Sequence, residues 1–258
     1  MKKPKWVIEK ERGKRAAAAE TVWLFGLHAV RDALANPARE RLRLVLTKNA
    51  ADRLGPALAD VDVTPEIVDP RKFNVPIDPA SVHQGAALEV KPLSWGTLAE
   101  LCAPRGGAPR VVVLDRVSDP HNVGAVLRSA EVFGARAVIA TLRHSAPETG
   151  ALAKTASGAL ERQPYLRVRN LARALEELRD MGYALVGLDG EAETALSAAH
   201  RPDQPLAIVM GAEGPGLRQL TKETCDTLAQ IPARGTFGSL NVSNAAAIAL
   251  YETRDASD

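Results

Sequence analysis

Three polar segments, each placed just after an apolar run, hold the side chains able to do chemistry. The first, residues 115–128 (DRVSDPHNVGAVLR), sets Asp119 before Pro120, the order of a helix cap followed by a first-turn proline. Asn122 falls in that first turn, and Arg128 lies outside the apolar stripe of Val123, Val126, Leu127 and Ala130. The second, 209–217 (VMGAEGPGL), places Glu213 among Gly211, Gly214 and Gly216, so the backbone can approach a ligand closely. The third, 231–244 (IPARGTFGSLNVSN), runs through Ser239 and Asn241 into an Ala-rich helix. Amides, a hydroxyl, a carboxylate and a guanidinium can orient a substrate and assist a proton transfer. Read one at a time, the segments also fit plainer purposes: a capped helix with a surface arginine, a strand-to-helix turn, and a cap at Ser243 or Asn244.

Periodicity supplies the elements that must position them. A helix is expected over residues 27–35, a half-buried strand over 41–48 with Leu42, Leu44 and Leu46 on one face, and a helix through NAADRLGPALAD. A strand in VTPEIVD and a last one in HQGAALEVKP (83–92) complete a small α/β unit. The Pro/Gly-rich stretch 93–109 has linker character. Beyond it, VVVLDRV (111–117), ARAVIAT (135–141), YLRVR, YALVGLDG, PLAIVMGAE (205–213) and TLAQIPA read as strands. Helices are expected near 149–160, over 171–181, through LRQLTKETC and from about Asn244 to Arg254. Strands alternating with helices predict an α/β domain with a mostly parallel sheet, whose ligands bind beyond the carboxyl ends of the strands. The expected organisation is a basic arm at 1–20, a small α/β unit at 21–92, the linker, and a larger α/β domain at 110–258.

Composition bounds the rest. Of 258 residues, 46% are hydrophobic and 25% charged, enough apolar chain for a substantial core. The two cysteines, Cys102 and Cys225, stand far apart, which disfavours a disulfide scaffold or a structural zinc site. No apolar run is long enough to span a bilayer and no secretory leader is evident, so a cytoplasmic protein is expected. The net charge of +2 is unevenly placed, with seven basic residues against two acidic in residues 1–15. Such an arm can track a phosphate backbone or remain a solvated tail. There is no GxGxxG fingerprint and no Walker A loop, which weakens the dinucleotide and nucleoside-triphosphate readings.

Taken in order, DPHNVGAVLRSA, IVMGAEGPGL and IPARGTFGSLNVSNAAAIALYE, with KTASGALE between the first two, resemble the three signature motifs of the SpoU/TrmH branch of the SPOUT RNA methyltransferases. GLHAVRDAL and HQGAALEVKP resemble the ribosomal-protein-like RNA-binding domain of the subgroup containing the bacterial 23S rRNA guanosine-2′-O-methyltransferases. The resemblance implies a trefoil-knotted catalytic domain, S-adenosylmethionine (AdoMet) as methyl donor, a homodimer whose interface completes the site, and structured RNA, 23S rRNA first, as partner. It implies no metal, no membrane and no DNA. It places Gly211, Ile231 and Leu240 against AdoMet, and Asn122, Arg128, Glu213, Ser239 and Asn241 around the reacting ribose and methyl group. Related enzymes are described with this arginine as general base. A guanidinium with a pKa above about 12 suits a phosphate or alkoxide clamp better. Asn244, where the family often has a small aliphatic residue, departs from the pattern and bears on how the last helix is capped. Two alternatives stand beside this reading: methylation of a tRNA ribose, and a non-catalytic RNA-binding or ribosome-assembly protein.

Overall fold

The computed structural model describes residues 21–59, 61–233 and 240–254. The basic arm expected at 1–20 and Ser239 of the third motif lie outside the described residues. The chain divides into two compact units, one of residues 1–94 with 148–161, the other of 95–147 with 162–258.

In the first unit, β1 (Val22–Phe25) leads through Gly26 into α1 (Leu27–Ala35), and β2 (Arg41–Thr47) into α2 (Lys48–Leu54). β3 (Pro65–Val68) and β4 (Ala86–Val90) complete a four-stranded sheet of order β1-β4-β2-β3. The helix expected through NAADRLGPALAD stops early: Gly55 and Pro56 convert its second half to a 3-10 turn. His83-Gln84-Gly85, expected as the start of a strand, is instead a turn, with Gln84 and Gly85 at φ 54° and 75°. The Gln84 amide oxygen accepts from the Leu27 backbone N–H at 3.2 Å, capping α1 where Gly26 has no side chain to do so. Phe25, Val45, Val75 and Ala87 form one apolar cluster of this unit, and Leu24, Val30, Leu44, Leu46 and Leu88 are buried as well.

The chain then builds the second unit: α3 (Leu98–Cys102), β5 (Arg110–Asp115), α4 (Pro120–Val132) and β6 (Ala137–Thr141). Residues 93–109 are therefore not simply a linker. A capping box between Thr97 and Glu100 starts α3, and Leu98 and Cys102 are buried in the second unit's core. The Gly/Pro content that suggested a linker is confined to the stretch after this helix.

After β6 the chain returns to the first unit. Helix α5 (Gly150–Ala156), expected in the catalytic domain, packs on β1, where a Cβ at Gly150 would overlap the Phe25 ring and the Trp23 carbonyl. Arg39, fully buried, anchors this segment. Its guanidinium donates to both oxygens of Glu161 at 3.0 and 2.8 Å, to Glu148 at 2.5 Å and to the Lys91 carbonyl at 2.8 Å. Asn36 adds a bond to Glu161 at 2.9 Å. Burial pushes the Glu148 carboxyl up despite the arginine beside it.

The second unit resumes with β7 (Tyr165–Val168), α6 (Leu171–Asp180), β8 (Ala184–Leu188), α7 (Leu196–Ala199), β9 (Leu206–Gly211), α8 (Gln219–Thr224), β10 (Thr227–Ala229) and α9 (Val242–Glu252). Its six strands run in the order β10-β8-β9-β5-β6-β7 and every neighbouring pair is parallel. β5 to β7 step one way across the sheet, while β8 and β9 lie on the other side of β5, so the order reverses beside the β5–β9 pair. In such sheets that reversal opens a crevice beyond the carboxyl ends of the strands. Burial pushes both thiols up, Cys102 to about 11 and Cys225 to about 12. Among the described residues no helix is long and apolar enough to cross a membrane.

Removing the Arg39 guanidinium would strand the buried Glu161 carboxylate and the half-buried Glu148 one. Arg39→Met is expected to destabilise the protein by about 3–5 kcal/mol in urea unfolding. A variant as stable as the parent would remove this cluster from the stability of the first unit.

Candidate active site

The site is built where β5, β8 and β9 end. Helix α4 begins as expected: Asp119 accepts from the His121 N–H at 3.0 Å and Pro120 opens the first turn, which carries Asn122. Helix α9 packs against α4, with Phe133 and Tyr251 in edge contact at 6.0 Å between centroids. Buried Arg110 ties the far ends of both helices, donating to the Leu250 carbonyl at 3.1 Å and the Phe133 carbonyl at 2.8 Å. Asn241 caps α9, accepting from the Ser243 N–H at 2.9 Å and the Ser243 hydroxyl at 2.6 Å. The cap is thus neither Ser243 nor Asn244, and the helix starts two residues earlier than expected.

The Glu213 carboxylate joins these helix starts. One oxygen accepts from the Asn122 amide at 3.2 Å, from the Asn241 amide, and from the Val242 backbone N–H at 3.3 Å. Asn241 donates to the Asn122 amide oxygen at 2.9 Å, closing a ring of three side chains, one from each motif. A carboxylate at the start of α9 also faces the positive end of that helix.

Gly211 ends β9 at the point of tightest approach. A Cβ there would overlap the carbonyl of Gly216 and the nitrogen of Leu217, because the loop doubles back through a Gly216 N–H to Ala212 carbonyl bond of 2.9 Å. Gly216 itself takes φ 67°, a conformation that side chains rarely adopt. The turn so formed borders a cavity of about 580 Å³, whose wall includes Gly211, Ile231 and Leu240, together with Met210, Glu213, Leu217 and Val242. That volume is of the size that holds drug-sized ligands. The structure therefore brings together Asn122, Glu213 and Asn241, and separately gathers Gly211, Ile231 and Leu240 around one cavity that Glu213 also touches. Arg128 stands apart: it lies farther along α4, exposed, with no hydrogen bond or ion pair among the described residues.

Several residues here escaped the sequence reading. Asp189, just after β8, lines the cavity with Glu191 and Lys222. Lys222 bonds Asp189 at 2.5 Å, and this contact, with the Glu191 N–H, holds the aspartate below the usual carboxylate range. Its position at the end of an apolar run was the available signal. Asp115, fully buried, accepts from the Arg218 side chain at 2.7 Å, its backbone N–H at 3.2 Å and the Thr221 hydroxyl at 2.7 Å. The first motif thereby fixes the loop that follows the second, a pairing across 103 positions that no local pattern announces.

Comparison with known proteins follows this geometry. Residues 109–251 match the model of the SpoU rRNA Methylase family, and residues 23–95 match that of RNA 2′-O ribose methyltransferase substrate binding. The chain belongs to the SpoU rRNA methylase family. Among its relatives, the 23S rRNA (guanosine-2′-O-)-methyltransferase RlmB of Vibrio vulnificus is 41% identical over 236 residues, 89% of this chain and 95% of that one. RlmB of Coxiella burnetii is 39% identical over 238 residues, 90% and 94% of the two chains. In fold, this SpoU protein resembles AviRb of Streptomyces viridochromogenes, solved with AdoMet, at TM-score 0.78, 23% identity and 93% and 91% coverage. A solved RNA 2′-O ribose methyltransferase gives TM-score 0.70 at 25% identity, covering 93% of this chain and 90% of that one.

The close approach at Gly211 can be checked against a glycine in the same wall. Gly211→Ala is expected to cost about 1–3 kcal/mol in urea unfolding, because the obstructing atoms are backbone. Gly190→Ala, whose Cβ would meet nothing within 4 Å, should stay within about 0.5 kcal/mol of the parent. Equal stabilities for the two variants would refute the steric argument.

Proposed function

We propose that this protein transfers the methyl group of AdoMet to the ribose 2′-hydroxyl of a guanosine in 23S rRNA. The observation that carries the reading is the meeting of Asn122, Glu213 and Asn241 beside the cavity lined by Gly211, Ile231 and Leu240, in a member of the SpoU family. The reported relatives are named for 23S rRNA, which favours that substrate over tRNA. The cavity fits the donor: a closely approaching backbone at Gly211, apolar side chains at Ile231 and Leu240, and enough volume. Bound AdoMet supplies a sulfonium-activated methyl group, so the protein's own task is alignment and management of one proton.

Asn122 suits orientation of the ribose, since its amide nitrogen has an N–H beyond the one given to Glu213, and Asn241 positions it by holding its oxygen. Glu213 holds an acceptor beside the position where the hydroxyl must lose its proton. Arg128 serves as a clamp for a phosphate or for the developing alkoxide. Ser239, in the third motif, belongs to the same proposed set. Residues 21–92 carry RNA binding, and the basic arm adds phosphate contacts. The knotted backbone and a cytoplasmic location, beside the rRNA, are parts of the same proposal.

The homodimer is also proposed, and one surface supports it. Val132 on α4 and Ile248 and Tyr251 on α9 are exposed apolar side chains on the helix pair that presents Asn122 and Asn241. A second copy covering this face would bring a partner's residues to each site and give the isolated Arg128 something to reach.

Two measurements test this. Purified protein with labelled AdoMet and 23S rRNA transcribed in vitro should give a single 2′-O-methylguanosine. Arg128→Ala should lose at least about 100-fold in kcat while retaining AdoMet affinity, and Arg128→Lys should recover a minority of that loss with the pH optimum unmoved. No methyl transfer by the parent protein would sink the reading, and normal turnover by the alanine variant would remove Arg128 from it. In sedimentation at micromolar concentration the parent should be a dimer and Ile248→Asp a monomer; a monomeric parent would overturn the dimer.

A further inference from the structure

A second cavity, of about 510 Å³, opens beside the first and has a different character. Arg116, Ser118, His144 and Arg218 line it together with the loop residues Ala212, Pro215 and Gly216. Those three loop residues also border the first cavity, so the loop is a wall common to both. No carboxylate lines the second cavity, and its side chains include two arginines and a histidine.

The backbone fixes where two of these side chains start, and a buried carboxylate orients the third. Arg116 follows β5 and His144 follows β6, and both take φ 63°, a left-handed backbone that costs a non-glycine residue about 1–3 kcal/mol unless its surroundings impose it. Around His144 the surroundings are visible. The Thr141 hydroxyl donates to the Arg143 carbonyl at 2.6 Å and bonds the Ser145 hydroxyl at 2.8 Å, and the Tyr165 hydroxyl donates to the Ala146 carbonyl at 2.7 Å. Arg218 is oriented through its Nε by buried Asp115, and its terminal nitrogens make no other bond among the described residues. The Arg116 and His144 side chains are exposed and likewise make no hydrogen bond or ion pair among the described residues. Forked donors, one of them anchored, with a nearby hydroxyl and no carboxylate in the wall suit a tetrahedral anion.

We propose that this cavity is a phosphate subsite, receiving a backbone phosphate of the substrate RNA next to the nucleotide whose ribose enters the catalytic cluster. The inference rests on the functional reading above. A ribose presented across the 212–216 loop carries phosphodiesters on both sides, and the cavity supplies cationic donors along that same loop. Contacts of this kind set the register of the RNA and leave its sequence unread.

The test uses the full chain and 23S rRNA transcribed in vitro, with binding measured from 50 to 200 mM salt. Arg116→Ala combined with His144→Ala leaves the Asp115 anchor intact. It should weaken RNA binding about tenfold, reduce the slope of log affinity against log salt by about 1, and raise KM for RNA with kcat little changed. Arg218→Lys, which keeps a cation near Asp115, should weaken binding less. Arg173→Ala, which removes an exposed arginine on α6 away from the cavity, should leave the slope unmoved. An unchanged slope in the double variant overturns the subsite. So does a weakened AdoMet affinity with RNA binding intact, which would assign the cavity to the carboxylate of the donor. Because the slope is read without catalysis, a parent protein that binds RNA but transfers no methyl group defeats the functional reading alone, and the slopes still decide this one.

Discussion

A single carboxylate oxygen organises the candidate active site. Glu213 accepts from the Asn122 amide, the Asn241 amide and the Val242 backbone N–H, and the two asparagines bond each other. Asn241 is then fully committed, its amide group donating twice and its oxygen capping α9. Hydrogen bonds to an ionised acceptor are roughly twice as strong as neutral ones, and a closed network holds its members in one arrangement. Both helix starts and the β9 loop therefore answer to the same group, and none can shift without breaking bonds made by the other two.

That constraint depends on two others deeper in the second unit. Gly211 lets the loop fold back against itself, which brings Glu213 to the helix ends and leaves the cavity open beside it. Buried Asp115 then holds the far side of the loop through Arg218 and Thr221. An uncompensated carboxylate at this depth would be costly, so the partners are required for the fold as well as for the site. The parallel sheet sets the frame: its strand order reverses beside β5 and β9, and the residues of this network lie at or just beyond the carboxyl ends of strands or in the first turns of helices.

The first unit is stabilised by different means. Beside its apolar core, a buried guanidinium gathers two carboxylates and a carbonyl. Such a cluster adds little over well-packed apolar residues in stability, while its hydrogen bonds tie both ends of residues 148–161 to Arg39. Gly150 completes the fit where α5 meets β1.

Much of this was legible in the chain itself. Apolar runs and capping residues announced the parallel sheet and the Asp119-Pro120 start of α4, because burial and capping act over a few neighbouring residues. The motif residues Asn122, Glu213 and Asn241 could be named from their types and their resemblance to a family. Their meeting on one oxygen could not, since they are separated by 91 and 28 positions and only the packing of α4 on α9 brings them together. The same holds for Asp115 with Arg218, and for the return of residues 148–161 to the first unit, where the partners of Arg39 lie 109 and 122 positions away. Local composition also misled twice, hiding α3 in a stretch read as linker and placing the cap of the last helix at Ser243 or Asn244 instead of Asn241. Sequence by itself determined which groups were available and which elements carried them; tertiary structure decided which groups share a partner, because hydrogen bonds between distant segments depend on how helices and strands pack and leave no periodic trace.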